Sequence, residues 1–87
     1  MRITNHNVKI MFQRYISALK ALGQATDTLA LDNYPLCGGY KLVSRDSRGA
    51  ECDVLCSKRL STREMYYALV IASQTLEAII YKKEQAA

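Results

Sequence analysis

The chain has 87 residues, of which 49% are hydrophobic and 23% are charged, and its formal net charge is +4. This length predicts a single domain over residues 1–87, and the apolar share excludes a disordered chain. With only 4 Gly and 1 Pro, collagen-like and linker-rich sequences are excluded as well.

The first predicted element is a helix over residues 7–22, preceded by a leader of residues 1–6. Thr4 or Asn7 can cap its start, and Gly23 stands where helices commonly end. Apolar residues recur at helical spacing along this segment and share one face: Val8, Met11, Phe12, Tyr15, Ile16, Ala18, Leu19 and Leu22. This pattern indicates an amphipathic helix that covers a core on one side.

Residues 28–57 are predicted to contain the sheet. Residues 29–31 form either a short strand or a loop, and the segment from Asp32 to Pro35 has the composition of a turn. Residues 40–45 and 51–57 then alternate as two strands joined by a turn that ends at Gly49. A hairpin alone is unstable in water, so it must lie on an apolar surface.

A second helix is predicted over residues 61–83, followed by a tail of residues 84–87. Ser61 and Glu64 have the spacing of a capping box, in which each side chain binds the other residue's backbone N–H. The element order is therefore α-(β)-β-β-α. It predicts an α+β fold, a two-layer sandwich of an antiparallel hairpin or three-stranded sheet packed on two helices.

The second predicted helix carries apolar residues on two sides. The seam expected to pack on the sheet or the first helix comprises Met65, Leu69, Ala72, Leu76 and Ile79. The opposite seam comprises Tyr67, Ile71, Gln74, Ala78 and Tyr81, and Val70 extends it. Because a helix that covers a small sheet needs one apolar seam, the opposite seam predicts a contact with the first helix or an interface with another copy.

The net charge is concentrated in the first part of the chain, since residues 1–26 contain four basic residues and no acidic one. A second basic cluster surrounds the start of the second helix. Such residues either contact phosphates or an acidic protein, or form a solvated surface. The candidate anion or nucleic-acid contacts are Lys9, Arg14, Lys20, Lys58, Arg59 and Arg63.

The three cysteines, Cys37, Cys52 and Cys56, are an odd number in a chain without a secretory signal at its start. We expect buried, reduced thiols, with a metal site shared by Cys52 and Cys56 as the weaker alternative. The single histidine, His6, and the lack of phosphate-loop, nucleophile-elbow and zinc-protease motifs favour a protein that is not an enzyme and uses no cofactor or metal. No apolar run approaches the ~20 residues of a membrane span, so we expect a cytoplasmic protein.

Two short motifs carry a resemblance to a known group of proteins. They are Leu31-Asp32-x-Tyr34 followed by Gly38-Gly39-Tyr40, and Ser61-x-Arg63-Glu64-x-Tyr66 at the start of the final helix. Their order resembles that of small, functionally unassigned proteins encoded by phages and prophages, over roughly residues 5–80. The resemblance implies a phage-type origin, action in the host cell, and binding to a host or phage protein or to nucleic acid.

Two main functional hypotheses follow from these observations, beside a weaker third, a small enzyme or metal protein that uses Cys52 and Cys56. The first is a non-catalytic phage-type accessory protein that binds proteins and forms a homodimer through the second helix. The alternative is a nucleic-acid-binding module, because the element order is also similar to that of double-stranded RNA-binding domains. Those domains place lysines at the start of their last helix, where this chain has Lys58, Arg59 and Arg63.

Overall fold

The computed structural model describes residues 2–34, 39–55 and 58–86. Its elements are α1 (Asn5–Ala21), β1 (Leu29–Tyr34), β2 (Gly39–Arg45), β3 (Glu51–Asp53) and α2 (Thr62–Ala86). The three strands form one antiparallel sheet in the order β1-β2-β3. This architecture confirms the predicted α+β fold and settles the sheet at three strands rather than a hairpin.

The start of α1 is fixed by a reciprocal pair of side-chain bonds. The Thr4 hydroxyl accepts from the N–H of Asn7 at 3.3 Å, and the N–H of Thr4 donates to Asn7 Oδ1 at 2.9 Å. Because two of the open N–H donors at this end are satisfied in this way, α1 begins at Asn5, earlier than the predicted residue 7. Its fully buried stripe follows the predicted apolar face: Val8, Met11, Tyr15 and Ala18.

Strand β1 is longer than the sequence predicts, and the predicted turn at Asp32 is wrong. The ladder to β2 runs from Leu29 opposite Ser44 to Tyr34 opposite Gly39. Asp32 lies opposite Lys41 in this ladder, and its carboxylate binds Arg45 of β2, so backbone pairing and an ion pair both favour the extended backbone. The predicted turn residue Pro35, the bend at Gly38 and the Cys37 thiol lie outside the described residues.

The turn between β2 and β3 is confirmed, and Asp46 organises it. Asp46 Oδ1 accepts from the N–H groups of Arg48 and Ala50, both at 2.9 Å. β3 is shorter than the predicted strand 51–57, however, because it ends at Asp53. Residues 54 and 55 form a bend in which the Val54 N–H still donates to the Leu42 carbonyl at 3.1 Å, and Cys56 and Ser57 lie outside the described residues. Cys52 is exposed on this short strand, which corrects the expectation of a buried thiol.

After β3 the chain returns to the beginning of β2. Tyr40 and Leu60 form an antiparallel bridge, in which each N–H donates to the other residue's carbonyl at 2.7 Å. Gly39 stands directly beside this bridge with a φ of 116°, and a Cβ there would lie 2.2 Å from the Leu60 carbonyl oxygen. The close approach of the two backbones therefore requires glycine at position 39.

The start of α2 is the capping box expected from the sequence. The Ser61 hydroxyl accepts from the N–H of Glu64 at 3.1 Å, and Glu64 Oε1 accepts from the N–H of Ser61 at 2.9 Å. These bonds with the Ser61 backbone and side chain lower the pKa of Glu64. The helix continues to Ala86, so the predicted tail at residues 84–86 is helical.

The core lies between the two helices and one face of the sheet. α1 and α2 run in the same direction, since Asn5 at the start of α1 accepts from the Thr62 hydroxyl at 3.4 Å and Arg14 farther along α1 binds Glu77 farther along α2. The Tyr40 hydroxyl donates to the same Asn5 oxygen at 2.6 Å, and burial raises the pKa of Tyr40 and of Tyr15. The buried core cluster comprises Val8, Met11, Tyr15, Tyr40, Leu42, Leu60, Met65 and Leu69.

The opposite face of the sheet is covered by paired charges. Arg45 donates to both oxygens of Asp32, at 2.8 and 2.9 Å, and to Glu51 at 2.9 Å. The Arg45 N–H binds the Thr28 carbonyl, so its side chain must extend past the Ala30–Val43 pair to reach Asp32. Val43 on this face is completely buried, and its ladder partner Asp53 binds Lys41 at 3.0 Å.

Candidate interaction surface

One side of α2 presents an exposed apolar stripe to solvent. We call it the α2 seam, and it comprises Tyr67, Ile71, Gln74, Ala78 and Tyr81. The Ile71 and Tyr81 side chains are 64% and 63% exposed, and Tyr67 is 46% exposed. The buried residues of the helix, Met65, Leu69 and Ser73, lie on the other side. Within the single chain, α2 thus has one buried side and one exposed apolar side, as the sequence predicts. α1 does not cover the exposed side.

Two residues do not follow the predicted division of the helix. Val70, expected to extend the interface, is half-buried and packs against the core of its own chain. Ile79, expected to pack inside, is 43% exposed. The position of α1 accounts for both differences. Arg14 of α1 binds Glu77, which lies on the same flank of α2 as Val70, whereas Ile79 lies ~180° away on the other flank.

The middle of the α2 seam contains a shallow depression. The small side chain of Ala78 lies between larger neighbours, and the depression is lined by Ile71, Gln74, Thr75, Ala78, Ile79 and Lys82. Its walls are mostly aliphatic, and one cation stands at its edge. A depression of this kind on a helix can receive one large apolar side chain from another helix.

Aromatic rings lie at the N-terminal end of the seam. Tyr66 and Tyr67 meet edge to face, with ring centroids 5.4 Å apart and planes at 78°. The Arg63 guanidinium carbon lies 5.7 Å from the centre of the Tyr67 ring, a cation–π arrangement. The seam therefore begins with the half-exposed ring of Tyr67 next to a cation and ends with the exposed ring of Tyr81.

The six predicted basic contacts do not form one patch. On α1, Lys9 and Lys20 are exposed, and at ~100° per residue they fall on nearly the same side of the helix. Arg14 falls more than ~100° away from them on the helix circumference. It binds the Glu77 carboxylate of α2 through two hydrogen bonds, and its charge is therefore matched within the chain.

The basic residues at the start of α2 also have contacts within the chain. Arg59 donates to the Gly39 carbonyl at 3.2 Å. Lys58 contributes to lowering the pKa of Glu64, after the Ser61 hydrogen bonds. Arg63 lies over Tyr67. These contacts divide the residues among the sheet, the helix cap and the α2 seam.

A second shallow cleft lies where the two helices begin. It is lined by Arg2, Ile3, Thr4, Asn5 and Thr62. Its central side chain, Asn5, already accepts from Tyr40 and Thr62, and Thr4 is used in the α1 cap. Asn5 and Thr62 therefore join the two helix starts, and Thr4 caps α1.

Catalytic and metal-binding groups are sparse in the described parts of the chain. His6 is exposed in the first turn of α1. Within residues 2–34, 39–55 and 58–86, there is no group of three or more His, Cys, Asp or Glu side chains placed to hold a metal ion. The predicted alternative of a site shared by Cys52 and Cys56 involves a residue outside those ranges. Among the same residues, no helix is long and apolar enough to cross a membrane.

Comparisons with known proteins give no relative for this chain: no family model, curated protein or solved structure matches it. The α2 seam is therefore the surface on which a functional assignment must be built.

Proposed function

We propose that this chain is a small non-catalytic accessory protein that acts by binding proteins and forms a homodimer through the α2 seam. The observation that supports it is the exposure of Ile71 and Tyr81, large apolar side chains on one stripe of a well-packed helix. Monomeric proteins rarely leave such contiguous stripes uncovered. Tyr suits an interface because it buries a large ring and keeps its hydroxyl in water.

The phage-type part of the proposal has separate support. It rests on the resemblance of the motifs at residues 31–40 and 61–66 to those of phage- and prophage-encoded proteins. With it comes the proposal that the protein acts in the host cytoplasm on a host or phage protein. The surface offered to that partner includes the exposed Lys9 and Lys20 side of α1.

Sedimentation equilibrium from about 10 to 500 μM tests the homodimer, a range that spans the affinities of small interfaces. We expect the wild type to self-associate and Ile71→Asp to remain a monomer, since the charge would be buried without a counter-ion. Ile10→Asp is the matched control, because Ile10 is 51% exposed on α1, away from the seam. A wild-type monomer over the whole range, or equal loss of association in both variants, would overturn the proposal.

Nucleic-acid binding is the outcome to be separated from protein binding. A nucleic-acid contact through Lys9 and Lys20 predicts a gel shift on duplex RNA, duplex DNA or single strands that weakens steeply with salt, by a slope near −0.9 per neutralised phosphate on a DNA duplex. Our proposal predicts no shift at physiological salt, and the same result for Lys9→Glu/Lys20→Glu. A salt-sensitive shift that this double variant abolishes would favour the nucleic-acid module instead.

A further inference from the structure

The spacing of the α2 seam is that of a two-helix interface. Its residues are separated by four, three, four and three positions. A seam with this average spacing of 3.5 matches a heptad pattern, in which side chains of one helix insert between those of another. Tyr67, Gln74 and Tyr81 then share one core position of the heptad, and Ile71 and Ala78 share the other.

We propose that two copies pair their α2 helices in antiparallel orientation. The two-fold axis that relates them passes α2 midway between Ala72 and Ser73. This inference rests on the proposed homodimer and specifies its geometry. The paired segment then runs from Thr62 to Lys83, a length of about 33 Å at 1.5 Å per residue. Because α1 and the sheet pack on the opposite side of α2, they leave this side open along its length.

In this register, large side chains of one copy meet small ones of the other. Tyr67 falls opposite Ala78 of the second copy and enters the depression at that residue. Ile71 falls opposite Gln74 of the second copy, and Tyr81 lies beside the first turn of the second helix. The two-fold axis repeats each contact, so the tyrosines and the depressions are matched twice.

A parallel pair would place each residue opposite itself. Tyr67 would face Tyr67 and Ala78 would face Ala78, so one layer would be crowded and another would hold a gap. Interfaces pack as closely as protein interiors, and both faults are costly there. Side-chain size therefore favours the antiparallel pair.

Charge favours the same arrangement. The antiparallel register brings Arg63 to within about two residues, or ~3 Å along the helix axis, of the level of Glu84 of the second copy. Both side chains are exposed on the same flank of the seam, and the axis creates this pair twice. Lys82 lies on the other flank, level with Arg63 of the second copy but separated from it by the width of the seam. The parallel arrangement would instead offer Glu77 to Lys82, but Glu77 already binds Arg14.

A charge exchange in the otherwise native chain tests the register. Arg63→Glu and Glu84→Arg should each weaken the dimer about fivefold or more, because each creates two like-charge pairs. The double variant should return to within about twofold of the wild-type dissociation constant, since it restores both pairs with their signs reversed. Lys83→Glu, at an exposed position on the side of α2 opposite the seam, is the control and should leave the constant unchanged within the same limit.

A distance measurement tests the orientation independently. A spin label at Gln85→Cys, with Cys37, Cys52 and Cys56 replaced by Ser, should give an inter-label distance of ~39 Å in the antiparallel dimer, from the rise along the axis and the spacing between the helices. In a parallel dimer the inter-label distance would be ~10 Å, the spacing between the axes of packed helices. If the serine background does not fold, the charge exchange still decides the register.

The outcomes separate the geometry from the dimer itself. Suppose that Ile71→Asp dissociates the dimer, but the double charge variant binds no more tightly than the single variants, or the spin labels lie close together. The homodimer is then supported and the antiparallel register is wrong. A protein that is monomeric throughout overturns the proposed function and the register together.

Discussion

Arg14 of α1 donates two hydrogen bonds to the Glu77 carboxylate of α2, although 63 residues separate them in the chain. The bond from Arg14 Nε to Glu77 Oε2 is 2.7 Å long, and the second joins the Nη2 atom to the other oxygen. These bonds lower the pKa of Glu77 and raise that of Arg14. The pair holds the two helices side by side at the rim of the core and engages a cation that the sequence assigned to a basic surface.

Reversing this pair should show that its two members act on each other. We expect Arg14→Glu and Glu77→Arg each to lower the thermal midpoint modestly, because the side chains are 41% exposed and solvent screens the charges. The double variant should recover most of the loss, since opposite charges again face each other. Thermal unfolding followed by circular dichroism checks this. Additive losses in the double variant would mean that the two side chains do not interact.

Acid should destabilise the protein through Glu64 and Glu77. Both carboxyls have a folded-state pKa below the ordinary value of 4.5, through hydrogen bonds with Ser61 and Arg14 respectively. Their contribution is therefore fully present above that ordinary value and is lost as the pH falls through the lower folded-state values, where the unfolded chain binds more protons. Urea unfolding measured between about pH 6 and pH 3 should show this decline. Glu64→Gln/Glu77→Gln should flatten it, and an unchanged decline in that variant would contradict the assignment.

The helices could be predicted from the sequence because their signals are local. Ser61 and Glu64 are three residues apart and bind each other's backbone, so the start of α2 is encoded within one turn. The α2 seam was also predictable, because the spacing from Tyr67 to Tyr81 separates it from the buried side regardless of what the helix packs on.

The errors arose where distant segments decide the local structure. Asp32 has turn chemistry, but its pairing with Lys41 and its bonds to Arg45 hold it in β1. β3 stops at Asp53 because the following segment returns to bridge Tyr40 through Leu60, a contact that alternation of side chains does not signal. The Arg14–Glu77 pair likewise depends on how two helices lie together. In the sequence, this pair is visible only as two opposite charges that lie far apart.

Alanine at position 39 should be far more damaging than alanine at position 49. Both glycines have positive φ, 116° and 84°, but only Gly39 has a backbone atom where the Cβ would go. We expect Gly39→Ala to cost about 3 kcal/mol, because it adds displacement of the Tyr40–Leu60 bridge to the backbone strain. Gly49→Ala should cost about 1 kcal/mol from strain alone. Urea unfolding of the two variants checks the difference, and equal losses would argue against the close approach at Leu60.

The same substitution, Ser→Ala, should have opposite effects at two positions of α2. The Ser73 side chain is fully buried on the packed side of the helix, and its Oγ atom has no hydrogen-bond partner among the described residues. A buried hydroxyl without a partner costs free energy, and alanine is also the better helix former. Ser73→Ala should therefore raise the free energy of unfolding by about 1 kcal/mol.

Ser61→Ala is the matched comparison at the start of the same helix. There the hydroxyl accepts from the N–H of Glu64, and its loss should lower the free energy of unfolding by about 1 kcal/mol. Urea unfolding of the two variants beside the wild type gives both signs in one experiment. If Ser73→Ala proves destabilising, the Ser73 hydroxyl must bind a partner in solution, most simply the carbonyl of Leu69 one turn earlier in α2. The unpartnered hydroxyl would then not be a source of instability in the packing of α2.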